Sequence, residues 1–552
     1  MGPRRVALVA LTAGCAVDPS VHERTVWTDG DFDDWEGVTA AVVDPAGDVP
    51  AGSPVDLGAV AMKDDARFLH LLIDLGHTVT VQGMRGSVEM VLDTDGDART
   101  GGAYGGMDGA DLAVVLTRQP EPERDSHGAG VGIRRIGPDG AGEMEQASRV
   151  GLLVSPTYSS DRFEVRLDRA AVAVVTGQRG ATGQRAAARP GDAMVGRLRY
   201  LRAGAVVDET AVFRHTLATP PGEDPPRLGA DAVARRPGAH RVVAWNVSSM
   251  SFRNNQDAFR RVVAALAPDV LLLDEIHFTV TPDDLAHFTR DLAAAGEGWT
   301  WWLASGGGRQ RTAVGASGGE VRGERGMGRI GYPPGALEGW LAEVEDEPEV
   351  PGRAPPSVLA RVEAEGGLSA TGAWVTVGGR DVLFVPVDLQ SAGYDGSPRD
   401  RLRELQARTL NQAIAAALAD RPGAGLVVAG DLNVVGSARP LDELRRGLGV
   451  GGRDLEVARP ERLRDRSLAT WRSTWGEDPF SPGRLDYLLY RGTVLRVERA
   501  FLFDAADLSA RARETLGVLA SDTEKSDHLP LVVDFGGRLE RPAMSANIPG
   551  AV

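Results

Sequence analysis

The stretch LVVAGDLNVVG, Leu426–Gly436, joins an apolar segment to two polar side chains, and the fold prediction starts from it. Residues 426–428 are apolar and prone to β-structure, which predicts a buried strand. Asp431 and Asn433 follow two residues apart, so on a strand they would face the same way. A buried carboxylate and a buried amide are costly unless they are paired or hold a ligand. The stretch therefore predicts a strand whose end carries a site.

The same arrangement recurs in four further segments between residues 240 and 537. Each segment combines an apolar strand pattern with an acidic, amide or imidazole side chain at one end. These segments are VVAWNV with Asn246, VLLLDEI with Glu275, GRLDYLL with Asp486, and KSDHLPLVV with Asp527 and His528. A single such residue is commonly a cap or a turn residue, but capping alone does not account for the whole set. Ligand sites gather where strand ends meet, so we expect these side chains to converge.

Helical periodicity alternates with these strands. SPRDRLRELQARTLNQAIAAALADR predicts a long helix that begins at Pro398, with Ser397 and Asp400 as a capping box. Strands that alternate with helices indicate stacked sheets flanked by helices.

Five motifs, taken in order over residues 241–535, resemble the endonuclease/exonuclease/phosphatase superfamily, whose fold is DNase I-like. The motifs are Asn246, Glu275, GDLN at 430–433, LDY at 485–487 and SDHLP at 526–530. The run TWRSTWGEDPFSPGRLDY, residues 470–487, is similar to the Thr-Trp segment that often precedes the late Asp of that family. The resemblance implies a four-layered α/β sandwich, of class α+β, with its site at one end of two packed sheets.

The resemblance also implies a metal-dependent reaction on a phosphodiester substrate. Glu275 and Asp527 are the implied ligands of Mg²⁺ or Mn²⁺, hard cations that prefer carboxylate oxygens. Asp431 would orient or deprotonate the attacking water, and Asn433 would hold the phosphate or the leaving oxygen. Asn246 would orient the groups around the metal.

The remaining implied roles belong to a carboxylate–imidazole pair. His528 would contact the scissile phosphate, as a base or as a stabiliser of charge, and Asp486 would fix its tautomer.

The chain departs from the family pattern in two places. Many members carry a His where VPVDLQSAG has Asp388, and many nucleases carry an acid where this chain has Ser248. A carboxylate near a divalent cation is attracted to it, so we expect Asp388 to help bind the metal. Arg309 and Arg311 in GGGRQRTAVGAS are candidates for binding the substrate phosphate, with a solvated loop as the alternative.

Residues 23–217 have the pattern of an all-β domain. Short apolar or alternating segments such as FLHLLIDLG, VEMVLDTDGD and DRFEVRLDR are followed by turn residues, which predicts an antiparallel β-sandwich. TDGDFDDWEG, LDTDGDARTGG and GADLAVVL resemble carbohydrate-binding, family-9-like sandwiches of exported bacterial proteins. That resemblance implies a glycan partner.

Asp93, Asp95 and Asp97 in DTDGDARTG offer oxygen ligands suited to Ca²⁺. The loop is not an EF-hand, because its glycine falls in the wrong place and no Glu closes it. A polar hairpin turn is the alternative.

Composition limits the classes of protein that the chain can represent. The 552 residues exceed one ordinary domain, and 42% hydrophobic residues suffice for packed cores. A formal net charge of −16 argues against a broad basic surface for nucleic acid. Residues 218–239, rich in Pro, Gly and charge, predict a linker between the sandwich and a domain at 240–537, which a tail at 538–552 follows. Nothing in the sequence indicates an oligomer.

The first 22 residues resemble a bacterial lipoprotein signal and tether. MGPRRVALVALTAGC has a short basic start, a short apolar core and small residues before Cys15, the single cysteine of the chain. The resemblance implies lipidation of Cys15 and attachment to the cell envelope by a lipid anchor only. The alternatives are a plain secretory signal, with a secreted soluble protein, or an ordinary cytosolic start.

The sequence thus predicts an exported, divalent-metal-dependent phosphoesterase. We expect it to hydrolyse phosphodiester bonds of nucleic acid, of a phospholipid head group or of a small diester. The alternatives are a catalytically impaired binding protein, or a glycan-binding surface protein, on the same fold.

Overall fold

The structure is a computed structural model that describes residues 26–119, 127–177, 191–220, 222, 225–292, 298–345, 361–362, 364–473 and 479–536. The predicted signal with Cys15 and the predicted tail at 538–552 lie outside the described residues. Among the helices of the described part, none combines the length and apolar character needed to cross a bilayer.

The first part of the chain is a sandwich of two antiparallel sheets, which confirms the predicted all-β domain. Its strands are β1 Ala40–Val43, β2 Ala59–Asp64, β3 Phe68–Val79, β4 Ser87–Asp93, β5 Gly102–Tyr104, β6 Met107–Ala110, β7 Leu112–Val115, β8 Gly132–Gly137, β9 Gly140–Glu145, β10 Leu153–Ser155, β11 Ser160–Asp168, β12 Ala193–Arg202, β13 Ala205–Glu209 and β14 Phe213–Thr216. One sheet has the order β1-β2-β3-β11-β10. The other has the order β13-β12-β4-β7-β8-β9, with β14 also on β12, and β5 and β6 form a separate ribbon. The helix α1, Arg169–Thr176, follows β11.

Strand alternation explains how the two sheets pack. Along β12 every second residue is buried, among them Met194, Leu198 and Tyr200. These side chains pack with residues of the other sheet such as Leu71 and Phe163 in one apolar core.

The second part of the chain contains two stacked seven-stranded sheets flanked by helices. Its strands are β15 His240–Ser249, β16 Val270–His277, β17 Trp299–Leu303, β18 Gln310–Ser317, β19 Arg322–Gly323, β20 Ser369–Ala370, β21 Ala373–Val377, β22 Arg380–Asp388, β23 Gly425–Asp431, β24 Glu456–Val457, β25 Glu461–Arg462, β26 Asp486–Tyr490, β27 Val497–Leu502 and β28 Leu531–Phe535. Its helices are α2 Met250–Asn254, α3 Gln256–Leu266, α4 Pro282–Thr289, α5 Glu338–Glu345, α6 Pro398–Leu418, α7 Arg439–Arg445 and α8 Ala510–Leu516. The sheet orders are β17-β18-β16-β15-β28-β27-β25 and β19-β21-β22-β23-β26-β24, with β20 also on β22.

Three apolar layers hold these sheets and helices together. Between the sheets, residues such as Leu272 of β16 pack with Phe384 of β22. On the outer faces, Trp245 of β15 packs against Phe259 of α3, with ring centroids 4.6 Å apart. Leu383 and its neighbours pack against Leu410 of α6. Central strands that are buried on both faces need continuous apolar runs, as the sequence has. The predicted four-layered, DNase I-like α/β sandwich is confirmed.

The described part of the predicted linker is packed rather than free chain. Leu228 forms a β-bridge with Leu508, and a short 3-10 helix at Ala230–Val233 places Val233 in the core beside α3.

Candidate active site

The predicted strand ends meet at one edge of the two stacked sheets. Asn246 and Glu275 lie near the carboxyl ends of the parallel strands β15 and β16. Asp388 and Asp431 end the parallel strands β22 and β23 and are paired in register. Asp431 is in turn paired with Asp486 on β26, so three carboxylates form one row across three adjacent strands.

One carboxylate oxygen each of Glu275, Asp388 and Asp431 lies within 4.8 Å of the others. Burial raises the pKa of Glu275, although the charge of His528 opposes the shift. Burial also raises the pKa of Asp431 to about 7. The charge of His528 opposes this shift, and repulsion from Asp486 adds to it. Three buried or half-buried carboxylates this close repel one another, so the donor set fits a hard divalent cation.

Asp486 and His528 form a buried pair beside this group. The Nδ1 atom of His528 is 2.7 Å from Oδ2 of Asp486, and its Nε2 atom is 3.7 Å from Oδ2 of Asp431. Burial alone would lower the pKa of His528, but Asp486, Asp431 and Asp527 together raise it well above its usual value. The backbone N–H of Asp486 donates to Oγ1 of Thr470, which fixes the start of β26.

Asn246 joins the two sheets at the site. Its side-chain Nδ2 is 3.5 Å from Oδ2 of Asp431, and its Oδ1 accepts from the N–H of Ser248. The hydroxyl of Ser526 donates to its carbonyl. The amide is fully buried and thus held in one orientation.

The backbone at this edge is strained. Ser248, Ser249, Glu275 and Asn433 are non-glycine residues with φ between +44° and +52°. The pairing of β15 with β16 shifts register between Asn246 and Ser249. Such conformations cost roughly 1–3 kcal/mol each and cluster at functional sites, where a bulge turns a side chain toward a ligand.

Asn433 does not share a strand face with Asp431, so that expectation is wrong. The strand β23 ends at Asp431, and Asn433 adopts a left-handed conformation. Its Nδ2 donates to the carbonyl of Leu389 at 2.9 Å, and its backbone N–H donates to Oδ1 of Asp431. The amide therefore ties the segment after Asp388 to the end of β23, and its contact with a phosphate stays a prediction.

Asp527 lies at the same edge, with both carboxylate oxygens accepting hydrogen bonds. Oδ1 accepts from the hydroxyl of Ser248, and Oδ2 accepts from Nε1 of Trp471 at 3.2 Å. The group of three carboxylates within 4.8 Å contains Asp388 in addition to Glu275 and Asp431. The role of Asp527 as a metal ligand stays a prediction.

The two arginines predicted to bind substrate lie around the end of β16. The guanidinium of Arg311 donates to the carbonyls of Phe278 and Val280, which holds the loop after β16. Arg309 is exposed, and its carbonyl accepts from the N–H of Phe278. Their contact with a phosphate stays a prediction.

Asp274 is a site residue that the sequence reasoning missed. It is fully buried beside Glu275, and neither of its carboxylate oxygens has a hydrogen-bond partner among the residues that the structure describes. Burial, together with Asp486 and Asp431, raises its pKa well above the usual value. The signal was available, because an acidic residue interrupts the apolar run VLLLDEI.

Helix α6 connects the loops that follow β22 and β23. The buried guanidinium of Arg403 donates to the carbonyls of Gln390 and Ala392. Asp400 accepts from the N–H of Ser437 at 2.9 Å and lies 3.8 Å from Arg403. These contacts fix the chain directly beyond Asp388 and Asn433.

The sandwich domain also contacts the loops beside the site. Oγ1 of Thr157 donates to the carbonyl of Val434 at 2.6 Å. The N–H of Ser159 donates to the carbonyl of Gly436 at 2.7 Å, and its hydroxyl donates to Asp395 at 2.9 Å. The turn between β10 and β11 therefore supports the chain that follows Asn433.

In the sandwich, the aspartates predicted to bind calcium are only partly together. Asp93 and Asp95 group with Asp111 within 4.8 Å. Asp97 forms a two-point ion pair with Arg99 at 2.7 and 2.8 Å. Binding of calcium in this loop stays a prediction.

Comparison with models of protein families identifies one family. A sequence model of the Endonuclease/Exonuclease/phosphatase family matches residues 243–528, more than half of the chain. No curated protein matches.

Similar solved structures include a truncated Caenorhabditis elegans TDP2, with 17% identity over 54% of this chain and 97% of that one, at a TM-score of 0.36. The human Nocturnin catalytic domain has 16% identity over 55% and 96%, at a TM-score of 0.33. The 3′ phosphatase NExo from Neisseria has 16% identity over 54% and 99%, at a TM-score of 0.34. On the strength of the match over residues 243–528, the chain belongs to the endonuclease/exonuclease/phosphatase family.

Proposed function

We propose that this protein is a divalent-metal-dependent phosphoesterase that hydrolyses phosphodiester bonds. The observation that carries the proposal is the close approach of Glu275, Asp388 and Asp431 beside the Asp486–His528 pair. Membership of the family supports hydrolysis of a phosphoric ester.

Glu275, Asp388 and Asp431 would hold the cation, with Mg²⁺ or Mn²⁺ as the ion. The cation would stabilise the negative charge that develops on the phosphate during hydrolysis. Asp274 stands directly beside Glu275, but burial raises its pKa and favours its neutral form, so we assign it no role in binding the cation.

The protein's own groups would orient the reactants. Asp486 fixes Nδ1 of His528, so Nε2 is directed to the side of Asp431, where it would donate a hydrogen bond to a phosphate oxygen. Asp431 would orient the attacking water through its second oxygen. Asn246 would keep Asp431 in place through its Nδ2.

The charge of the site favours a diester over a monoester. A phosphodiester carries one negative charge, whereas a monoester near neutral pH carries close to two. Five carboxylates, those of Glu275, Asp388, Asp431, Asp486 and Asp527, lie around the site. One divalent cation and a protonated His528 would not offset all five charges, so a dianion would still be repelled more strongly than a monoanion. The formal net charge of −16 likewise favours a substrate that is contacted at few phosphates.

The test is hydrolysis of bis-p-nitrophenyl phosphate with Mg²⁺ and with EDTA, followed by DNA, RNA and sphingomyelin. We expect EDTA to abolish the activity. Glu275→Gln should lower the rate by about 100-fold or more, because loss of a charged ligand removes several kcal/mol of transition-state stabilisation. In EDTA its melting midpoint should not fall below that of the wild type, because the removed charge is buried and is repelled by neighbouring carboxylates.

Glu338→Gln, an exposed change at the start of α5, is the matched control and should keep the wild-type rate. Hydrolysis that persists in EDTA, or a folded Glu275→Gln variant with full activity, would show that the proposal is wrong.

A further inference from the structure

A second group of carboxylates lies in the sandwich domain, far in sequence from the candidate active site. This group spans the two sheets of the sandwich. Asp44 directly follows the edge strand β1, Asp48 lies in the loop beyond it, and Asp208 lies on β13. Because β1 and β13 are edge strands of different sheets, the group joins the two sheets at one side. One carboxylate oxygen of each residue lies within 4.8 Å of the others.

Two of these three carboxylates, those of Asp44 and Asp208, are buried, and the third, Asp48, is exposed. Asp44 is 8% exposed and Asp208 is 7% exposed. In the described part of the chain, Oδ2 of Asp44 is buried and has no hydrogen-bond donor. Burial, followed by the carboxylates of Asp208, Asp48 and Asp56, raises the pKa of Asp44 to about 6. A buried carboxylate that faces other carboxylates is costly unless a cation compensates it.

The loop that carries the group is held in place by other contacts. Both oxygens of Asp56 accept from the N–H of Gly47 at 2.9 and 3.0 Å. The N–H of Asp44 donates to the carbonyl of Gly58 at 2.6 Å. Asp44 and Asp48 are therefore fixed near Asp208, although they repel one another.

The aspartates of the other acidic loop are satisfied by protein donors. Oδ1 of Asp93 accepts from the N–H of Gly96 at 2.6 Å. Oδ2 of Asp111 accepts from both the N–H and the hydroxyl of Thr94. Unlike Asp93 and Asp111, Asp44 has a buried oxygen that lacks a donor within the described part of the chain, and its charged neighbours are carboxylates.

We propose that Asp44, Asp48 and Asp208 bind one Ca²⁺ ion that joins the edges of the two sheets. An all-oxygen set drawn from a loop and a strand suits Ca²⁺, which accepts six to eight oxygens in flexible geometry. Mg²⁺ requires near-ideal octahedral geometry and is the poorer fit. This inference does not depend on the proposed phosphodiesterase activity, because the ion would stabilise the sandwich and take no part in hydrolysis.

The test is the melting midpoint of the full-length protein in Ca²⁺ and in EGTA, together with calorimetric titration of Ca²⁺. At a calcium concentration about 100 times the Kd, the midpoint should rise by about 5 to 10 °C. Glu275→Gln should keep this response, which separates the site from the candidate active site.

The effect of Asp44→Asn on the stability of the protein should have opposite signs in EGTA and in Ca²⁺. In EGTA, Asp44→Asn should be as stable as the wild type or more stable, because it removes a repelled charge. In Ca²⁺ it should be less stable than the wild type, because the response to the ion is lost. Asp48→Asn changes an exposed side chain, and it should weaken calcium binding without impairing folding.

Asp161→Asn, an exposed change on β11 of the same domain, is the matched control and should keep the full response. Asp95→Asn tests whether the other acidic loop contributes to the response. The proposal is overturned if the wild-type midpoint is the same in Ca²⁺ and EGTA. It is also overturned if Asp95→Asn abolishes the response while Asp44→Asn retains it, or if Asp44→Asn is destabilised equally in both conditions.

Discussion

The two acidic groups of this protein, one at the edge of the stacked sheets and one at the side of the sandwich, differ in what surrounds them. Around Glu275, Asp388 and Asp431, the structure places an imidazole and an amide, with His528 and Asn246 both close to Asp431. Around Asp44, burial raises the pKa most, and the charged neighbours that raise it further are other carboxylates. A site that performs chemistry needs donors and a proton carrier beside its metal ligands, whereas a site that only binds an ion needs ligands alone.

The origins of the two groups also differ. The carboxylates of the first come from three strands, with 113 positions between Glu275 and Asp388 and 43 between Asp388 and Asp431, and the fold is needed to assemble them. Asp44 and Asp48 of the second lie in one loop, and a single strand adds Asp208. Small changes in the packing of the strands should therefore disturb the geometry of the first group more than that of the second.

Removal of His528 should make the first group resemble the second. His528→Gln should lower the rate of diester hydrolysis by about 100-fold or more, the scale of a lost proton-transfer group. It should also destabilise the protein by about 3 kcal/mol, because Asp486 is left as an unpaired buried charge. Chemical denaturation and single-substrate kinetics measure the two effects.

The double variant His528→Gln, Asp486→Asn is the control for this prediction. Removing the unpaired charge should recover most of the stability but none of the activity. If the single variant is as stable as the wild type, the pair does not carry the charge that the structure assigns to it.

Asp388 tests whether the first group holds a cation at all. Asp388→Asn should raise the Mg²⁺ concentration needed for half-maximal activity by about tenfold, equivalent to 1.4 kcal/mol of lost attraction. High Mg²⁺ should recover part of the rate. Asp388→His should not restore full activity, because a neutral imidazole does not return the lost charge.

If the activity of Asp388→Asn depends on Mg²⁺ concentration as that of the wild type does, Asp388 does not bind the cation. The cation would then be held by Glu275 and the remaining carboxylates.

Most of the fold could be predicted from sequence, because the central strands are apolar and periodic. Leu426–Val428 lies in a fully buried strand as expected, and α6 begins at Pro398 with Ser397 as its cap. The finer use of Asp400 could not be predicted. Its carboxylate accepts from Gly396 and Ser437 rather than closing a capping box, because two loops distant in sequence converge there.

The site could be predicted as a set of residues but not as a geometry. The row of Asp388, Asp431 and Asp486 depends on strand register, which the sequence does not specify. Asn433 has a left-handed conformation, and its Nδ2 donates to the carbonyl of Leu389, 44 positions earlier, a contact that only the folded chain brings about. The pairing of Asp44 with Asp208 spans 164 positions and has no motif, so only the folded sandwich reveals it.

A smaller effect is expected for a substitution in the turn between β10 and β11 of the sandwich, which contacts the loop beside the first group. Thr157→Val should lower the hydrolysis rate about fivefold, because it removes a hydrogen bond of about 1 kcal/mol to Val434 beside the site. Thr157→Ser keeps the hydroxyl and should keep the rate. Equal rates for both variants would mean that the sandwich does not position the active-site loop.

The smallest effect is expected at Asp97, which lies in the acidic loop at 93–97. A substitution there tests whether calcium binds to this loop or to the second group. The carboxylate of Asp97 is held by Arg99 in an exposed ion pair, and such pairs contribute little because water and salt screen them. Asp97→Asn should therefore leave the melting midpoint unchanged both in Ca²⁺ and in EGTA. Compared with Asp44→Asn, this variant shows whether calcium binding depends on the number of aspartates in a loop or on their burial. A response to calcium that disappears in Asp97→Asn would place the ion in the loop at 93–97 and would erase the contrast between a satisfied and an unsatisfied acidic group.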